Sequence, residues 1–161
     1  MTSNIKSILA EALGGARRVA VLGCGSVLLG DDAAGMVVAE RLEGICENLR
    51  AFCGSTAPEN FSGEIKRFRP DALLVVDAAD MGRRPGEAAL IPVDQIDGVS
   101  FSTHMLPLKI MLEYLRREIG CSVSLLGIQS ADITFGTDMT PAVSAAVDEV
   151  TAALKELMSD P

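Results

Sequence analysis

The chain's one imidazole is His104, and three of its aspartates, Asp31, Asp32 and Asp77, each follow or close an apolar run. If those runs are strands of an open α/β sheet, these side chains collect beyond its carboxyl edge, where such sheets bind ligands. Positions 32, 77 and 104 then offer one nitrogen and two carboxylates, a donor set that suits a borderline divalent metal such as nickel or zinc. Three protein ligands leave coordination positions open. A metal-handling catalyst or metal sensor requires open positions, and a structural metal site does not. The absence of a second histidine weighs against a tightly held resident zinc.

The elements that must position these residues follow from two hydrophobic periods. Ile5, Ile8, Leu9, Ala12 and Leu13 predict a helix stopped by Gly14 and Gly15. A buried strand follows at 19–22, then an amphipathic helix at 33–47, a weak strand at 51–53, and a short helix at 59–69 ended ahead of Pro70. The best strand is 73–76, closed by Asp77. Only 78–86 separates it from the next strand at 87–92, and a parallel crossover needs about a dozen residues or more, so that strand is expected to be antiparallel. Leu108, Met111, Leu112, Leu115 and Ile119 give a helical stripe with Pro107 in its first turn. A strand at 122–128 and a helix capped by Thr140 and opened by Pro141 complete the order α-β-α-β-α-β-β-α-β-α.

The expected architecture is α/β: a three-layer α/β/α sandwich around a five-stranded, mostly parallel twisted sheet with one antiparallel strand. The 161 residues make one domain, 1–161. Residues 23–32, 54–60, 77–82 and 129–132 then lie at the carboxyl rim, and the loop that climbs back from the antiparallel strand brings His104 there.

Several function classes fall away. A net charge of −8 has the wrong sign for a protein that neutralises nucleic-acid phosphates. The longest uncharged stretches, 19–30 and 119–131, are too short to span a bilayer, and the first residues lack the apolar core of a secretory signal, so a cytoplasmic protein is expected. Cys24, Cys46, Cys53 and Cys121 show no C-x-x-C spacing and read as structural thiols. Gly23, Gly25 and Gly30 miss the dinucleotide fingerprint, which places its third glycine where this chain has Leu28. A serine triad lacks the G-x-S-x-G turn. Plainer roles also exist for the rim residues: Asp31 and Asp32 as helix caps, Asp77 as a partner of a neighbouring loop, and His104 as a packing residue.

The five blocks 25–32, 55–60, 76–82, 103–108 and 126–129 occur in an order that resembles the hydrogenase maturation endopeptidases, closest to the branch that processes the large subunit of hydrogenase 3. The likeness covers most of 17–157 and leaves out the leading helix. It implies a single maturation-peptidase-like domain with a metal-binding trio of two carboxylates and a histidine, carried here by Asp32, Asp77 and His104. It also implies an endopeptidase that removes a short C-terminal extension from the large-subunit precursor of a nickel-iron hydrogenase after nickel insertion. The nickel would arrive on the substrate, and no catalytic residue beyond the metal ligands is assigned. Ser26 and Asn60 are the candidate substrate-binding residues. Ser26 and Met105 stand where relatives carry asparagine, and Ser130 where close relatives carry proline, departures that bear on substrate choice. The alternative is a non-enzymatic nickel-dependent checkpoint or chaperone for the same precursor.

Overall fold

A computed structural model of the chain describes residues 4–98, 100–101 and 105–159. In chain order its elements are α1 (Asn4–Leu13), β1 (Val19–Cys24), α2 (Ala34–Leu42), β2 (Leu49–Ser55), α3 (Ser62–Phe68), β3 (Ala72–Asp80), β4 (Ala88–Ile91), β5 (Ser100–Phe101), α4 (Met105–Ile119), β6 (Ser122–Gln129) and α5 (Pro141–Ser159). Three 3-10 turns, Gly30–Ala33, Pro58–Phe61 and Val93–Gly98, link them.

The sheet order is β2-β1-β3-β6-β4, with β5 paired to β3 alone. β1, β2, β3 and β6 run parallel, and β4 lies antiparallel along β6. The expected five-stranded, mostly parallel sheet is therefore present. β1 is buried throughout and β3 along all but its last residue, as a parallel sheet covered on both faces requires. Along β3, Leu74, Val76 and Ala78 face the layer of α1, α2 and α5, and Leu73 and Val75 face the layer of α3 and α4. The same alternation puts Val19 and Val21 on the first face and Ala20, Leu22 and Cys24 on the second. Leu108, Leu112 and Leu115 of α4 are fully buried on the second face. Each such side chain contributes roughly 1.5–3 kcal/mol of transfer free energy against the chain entropy.

Sequence and structure differ in four places. The helix expected to run to 47 ends at Leu42, because Glu43 turns extended and Gly44 takes a positive φ of 72°. The short helix expected from 59 begins as a 3-10 turn, and α3 closes at Arg69 in the left-handed region before Pro70. The segment read as a loop after β4 contains the two-residue β5, which pairs Phe101 with Ala79 and Ser100 with Asp80. Thr140 does precede α5, but its hydroxyl bonds the Asp31 carboxylate.

Helix α2 sits unusually close to the sheet at its N-terminal end. A Cβ on Gly35 would lie 2.1 Å from the Val76 carbonyl oxygen and 2.5 Å from that of Cys24, so only glycine lets the helix start directly over β1 and β3. This contact fixes where the loop from β1 must turn, and hence where its aspartates lie.

Candidate active site

β1 ends at Cys24, and Gly25 turns the chain with φ 125°. A Cβ there would lie 2.0 Å from the Asp32 carbonyl oxygen, so the loop closes on itself only with glycine at 25. The closure is completed by the Ser26 N–H, which donates to Asp32 Oδ2 at 2.9 Å. Asp32 is 1 % exposed, and its second oxygen, Oδ1, is buried with no hydrogen-bond partner among the described residues. Leaving such an oxygen unpaired costs about 1–3 kcal/mol, which makes a carboxylate in this state a candidate for an absent positive ligand.

Asp77 is fully buried near the carboxyl end of β3, opposite Gly127 of β6 in the register. Strand alternation places it on the same sheet face as Leu73, Val75 and, one strand over, Cys24. The Cys24 thiol reports the surrounding charge. Burial, followed by the carboxylates of Asp77, Glu59 and Asp32, pushes its pKa well above the ordinary thiol range. Three carboxylates thus converge electrostatically on one thiol, which stays protonated and is a poor nucleophile at neutral pH.

Glu59 comes from the 3-10 turn after β2, and its Oε2 is also buried without a hydrogen-bond partner among the described residues. It lines a groove of about 460 Å³ together with Ser62, Pro107, Ile110, Met111 and Tyr114. A larger cavity, about 730 Å³, runs between Ile5, Arg83, Pro85 and Ala142, but none of its carboxylates is buried. Buried unpaired carboxylates, not volume, distinguish the β1–β3 rim.

The expected site residues divide as follows. Asp32 and Asp77 are both buried at the carboxyl rim. His104 lies outside the described residues; the chain before it pairs with Ala79 and Asp80 at the end of β3, and α4 begins directly after it. Among the described residues no three histidine, cysteine, aspartate or glutamate side chains gather closely enough to hold an ion. Ser26 shapes the loop, since its Oγ accepts from the Leu28 N–H at 3.2 Å, and Asn60 is exposed on the turn after β2. Neither Asp31 nor Asp32 caps the 3-10 turn or α2 with its side chain.

Comparison with known proteins shows the family. The profile of the HycI family, described as hydrogenase maturation protease, matches residues 36–156. The chain belongs to the hydrogenase maturation protease family. The hydrogenase 3 maturation protease of Escherichia coli is 38% identical over 128 residues, covering 78% of this chain and 81% of that protein. The crystal structure of the [NiFe] hydrogenase maturation protease HycI from Thermococcus kodakarensis KOD1 superposes with a TM-score of 0.86 at 28% identity, over 95% of this chain and 99% of that one. A crystal structure of the hydrogenase 3 maturation protease superposes with a TM-score of 0.74 at 36% identity, over 86% and 89% of the two chains. The chain is accordingly a peptidase, and its fold is that of the maturation proteases.

In this maturation protease, two polar residues outside the expected site organise the rim. Asp31 is fully buried and accepts bonds from the N–H groups of Ala131, Asp132 and Thr140 at 2.7–2.9 Å and from the Thr140 hydroxyl at 3.0 Å. Gln129, 6 % exposed, accepts from the Met81 N–H at 2.7 Å and the Arg83 N–H at 3.2 Å, and donates to Asp80 Oδ1 at 3.3 Å. Their positions after strands were visible in the sequence, but partners 46–109 positions away were not.

Proposed function

We propose that this maturation protease removes a short C-terminal extension from the large-subunit precursor of a nickel-iron hydrogenase, and that it selects precursors that already carry nickel. The observation that carries the reading is the pair of buried rim aspartates, one of which, Asp32, keeps an oxygen without a hydrogen-bond partner among the described residues. Oxygen donors from Asp32 and Asp77, with the imidazole of His104, suit a divalent metal that arrives on the substrate and leaves with it. The expected coordination is incomplete by design, because the precursor supplies the remaining ligands.

In this account the nickel is part of the substrate. Bound between precursor and protease, it holds the scissile peptide at the rim and draws electron density from the carbonyl or from a water that attacks it. Water adds across the peptide bond, giving a carboxylate on the subunit and a free amine on the released extension. No serine or cysteine nucleophile is required, in keeping with a Cys24 thiol held protonated by burial and by neighbouring carboxylates. A precursor without nickel offers nothing to bridge Asp32, Asp77 and His104 and passes uncut.

Asp32→Asn and His104→Ala test the assignment on a nickel-loaded precursor. Cleavage at the wild-type rate in either variant contradicts it, and loss of cleavage with unchanged melting supports it.

A further inference from the structure

We propose that two loops at the carboxyl rim, 26–31 and 130–140, form a rigid apolar platform that docks an apolar, basic-flanked segment of the protein substrate beside Asp32. The proposal rests on the reading of this rim as the cleavage site. Its side chains are Val27, Leu28, Ile133 and Phe135, exposed by 61%, 59%, 51% and 73%. Among the described residues only two other large apolar side chains are comparably exposed, Ile110 and Tyr114, and both line the groove beside Glu59. Exposed apolar surface here is gathered rather than scattered, which marks an interaction surface.

The two loops are locked together. The Asp31 N–H donates to the Asp132 carbonyl at 2.8 Å and the Gly136 N–H to the Leu28 carbonyl at 2.9 Å, while the buried Asp31 carboxylate binds both ends of the second loop. Within that loop the Thr134 N–H donates to Asp132 Oδ1 at 2.9 Å and the Thr137 hydroxyl to the Thr134 carbonyl at 2.7 Å. Apolar side chains on a preorganised support bind without the entropy cost of ordering a mobile loop. Asp32 closes the first loop through the Ser26 N–H, so the platform is continuous with the site where a peptidase must hold its polypeptide.

Charge selects the occupant. The loop 130–140 carries Asp132 and Asp138 and no lysine or arginine, and loop 26–31 contributes no basic residue. A second copy of this chain, net charge −8, would set like charges against one another across a two-fold contact. A precursor segment with an apolar patch and flanking lysine or arginine fits both features.

Phe135→Ser and Leu28→Ser, with Phe135→Leu as the conservative variant, are compared for equilibrium binding and cleavage of the intact nickel-loaded precursor. The serine variants are expected to weaken binding and raise KM by roughly tenfold or more, with kcat within about twofold and melting unchanged, and leucine to restore most of the affinity. Wild-type binding that the serine variants leave unchanged overturns the platform. Sedimentation showing a wild-type dimer that Phe135→Ser dissociates overturns it in favour of self-association. Wild-type binding without cleavage, still weakened by the serine variants, upholds the platform and overturns the proteolytic reading; neither binding nor cleavage overturns both.

Discussion

Asp31 and Asp32 are adjacent and both buried, yet Asp31 has both carboxylate oxygens hydrogen-bonded while Asp32 leaves Oδ1 with no partner among the described residues. The first is a clamp between two loops, and the second is available to a ligand. One dipeptide thus serves structure and chemistry separately, and the two roles predict opposite mutant phenotypes.

Removing the Asp31 carboxylate with Ala leaves three partly buried N–H groups and a hydroxyl without their acceptor. Hydrogen bonds to a charged group are worth about 1.5–3 kcal/mol each and are not additive, so Asp31→Ala is expected to cost roughly 3–5 kcal/mol in denaturant unfolding. Asp32→Asn is expected to stay within about 1 kcal/mol of wild type, since it breaks no more than the single bond from Ser26. Equal stability losses in the two variants would remove the distinction.

Gly35→Ala tests the close approach of α2 to the sheet. The added methyl would meet the Val76 and Cys24 carbonyls at 2.1 and 2.5 Å, both backbone atoms that cannot step aside cheaply. The expected loss is roughly 1–3 kcal/mol or more, read by chemical denaturation, together with reduced cleavage because the same helix start sets the loop that carries Asp32.

Cys24 gives two checks. Cys24→Ala is expected to retain cleavage, and iodoacetamide to leave the native enzyme active, because the buried protonated thiol is not a nucleophile. Its raised pKa also sets a pH dependence of stability. The folded state holds the thiol proton more tightly than the unfolded chain, so the associated stability is full below the unfolded thiol pKa of about 8.5 and declines as pH rises above it. Melting temperature is expected to fall less between about pH 8 and pH 10 in Cys24→Val than in wild type.

The sheet and both helical layers were legible in the sequence because β1 and β3 are uninterrupted apolar runs and α4 and α5 carry clear helical stripes. The antiparallel strand followed from the short span 78–86. β5 was not legible: two residues carry no period, and the pairing exists because β3 extends beyond its apolar run to Asp80. The end of α2 was missed because Ile45 continues the helical stripe past Gly44, and the glycine prevailed over the pattern. At the rim, the positions of Asp32 and Asp77 were legible because they follow strands, whereas Asp31 resembled a helix cap when read locally. Its partners at 131, 132 and 140 are brought to it only by the fold.

The central claim is that this protease cuts its precursor in answer to nickel. The direct test is to incubate the purified enzyme with the intact large-subunit precursor, nickel-loaded and nickel-free, and follow the precursor's mass. Loss of a C-terminal peptide from the nickel-loaded form alone is the predicted result. Cleavage of both forms would contradict metal-dependent selection, and cleavage of neither would contradict the proposed function itself.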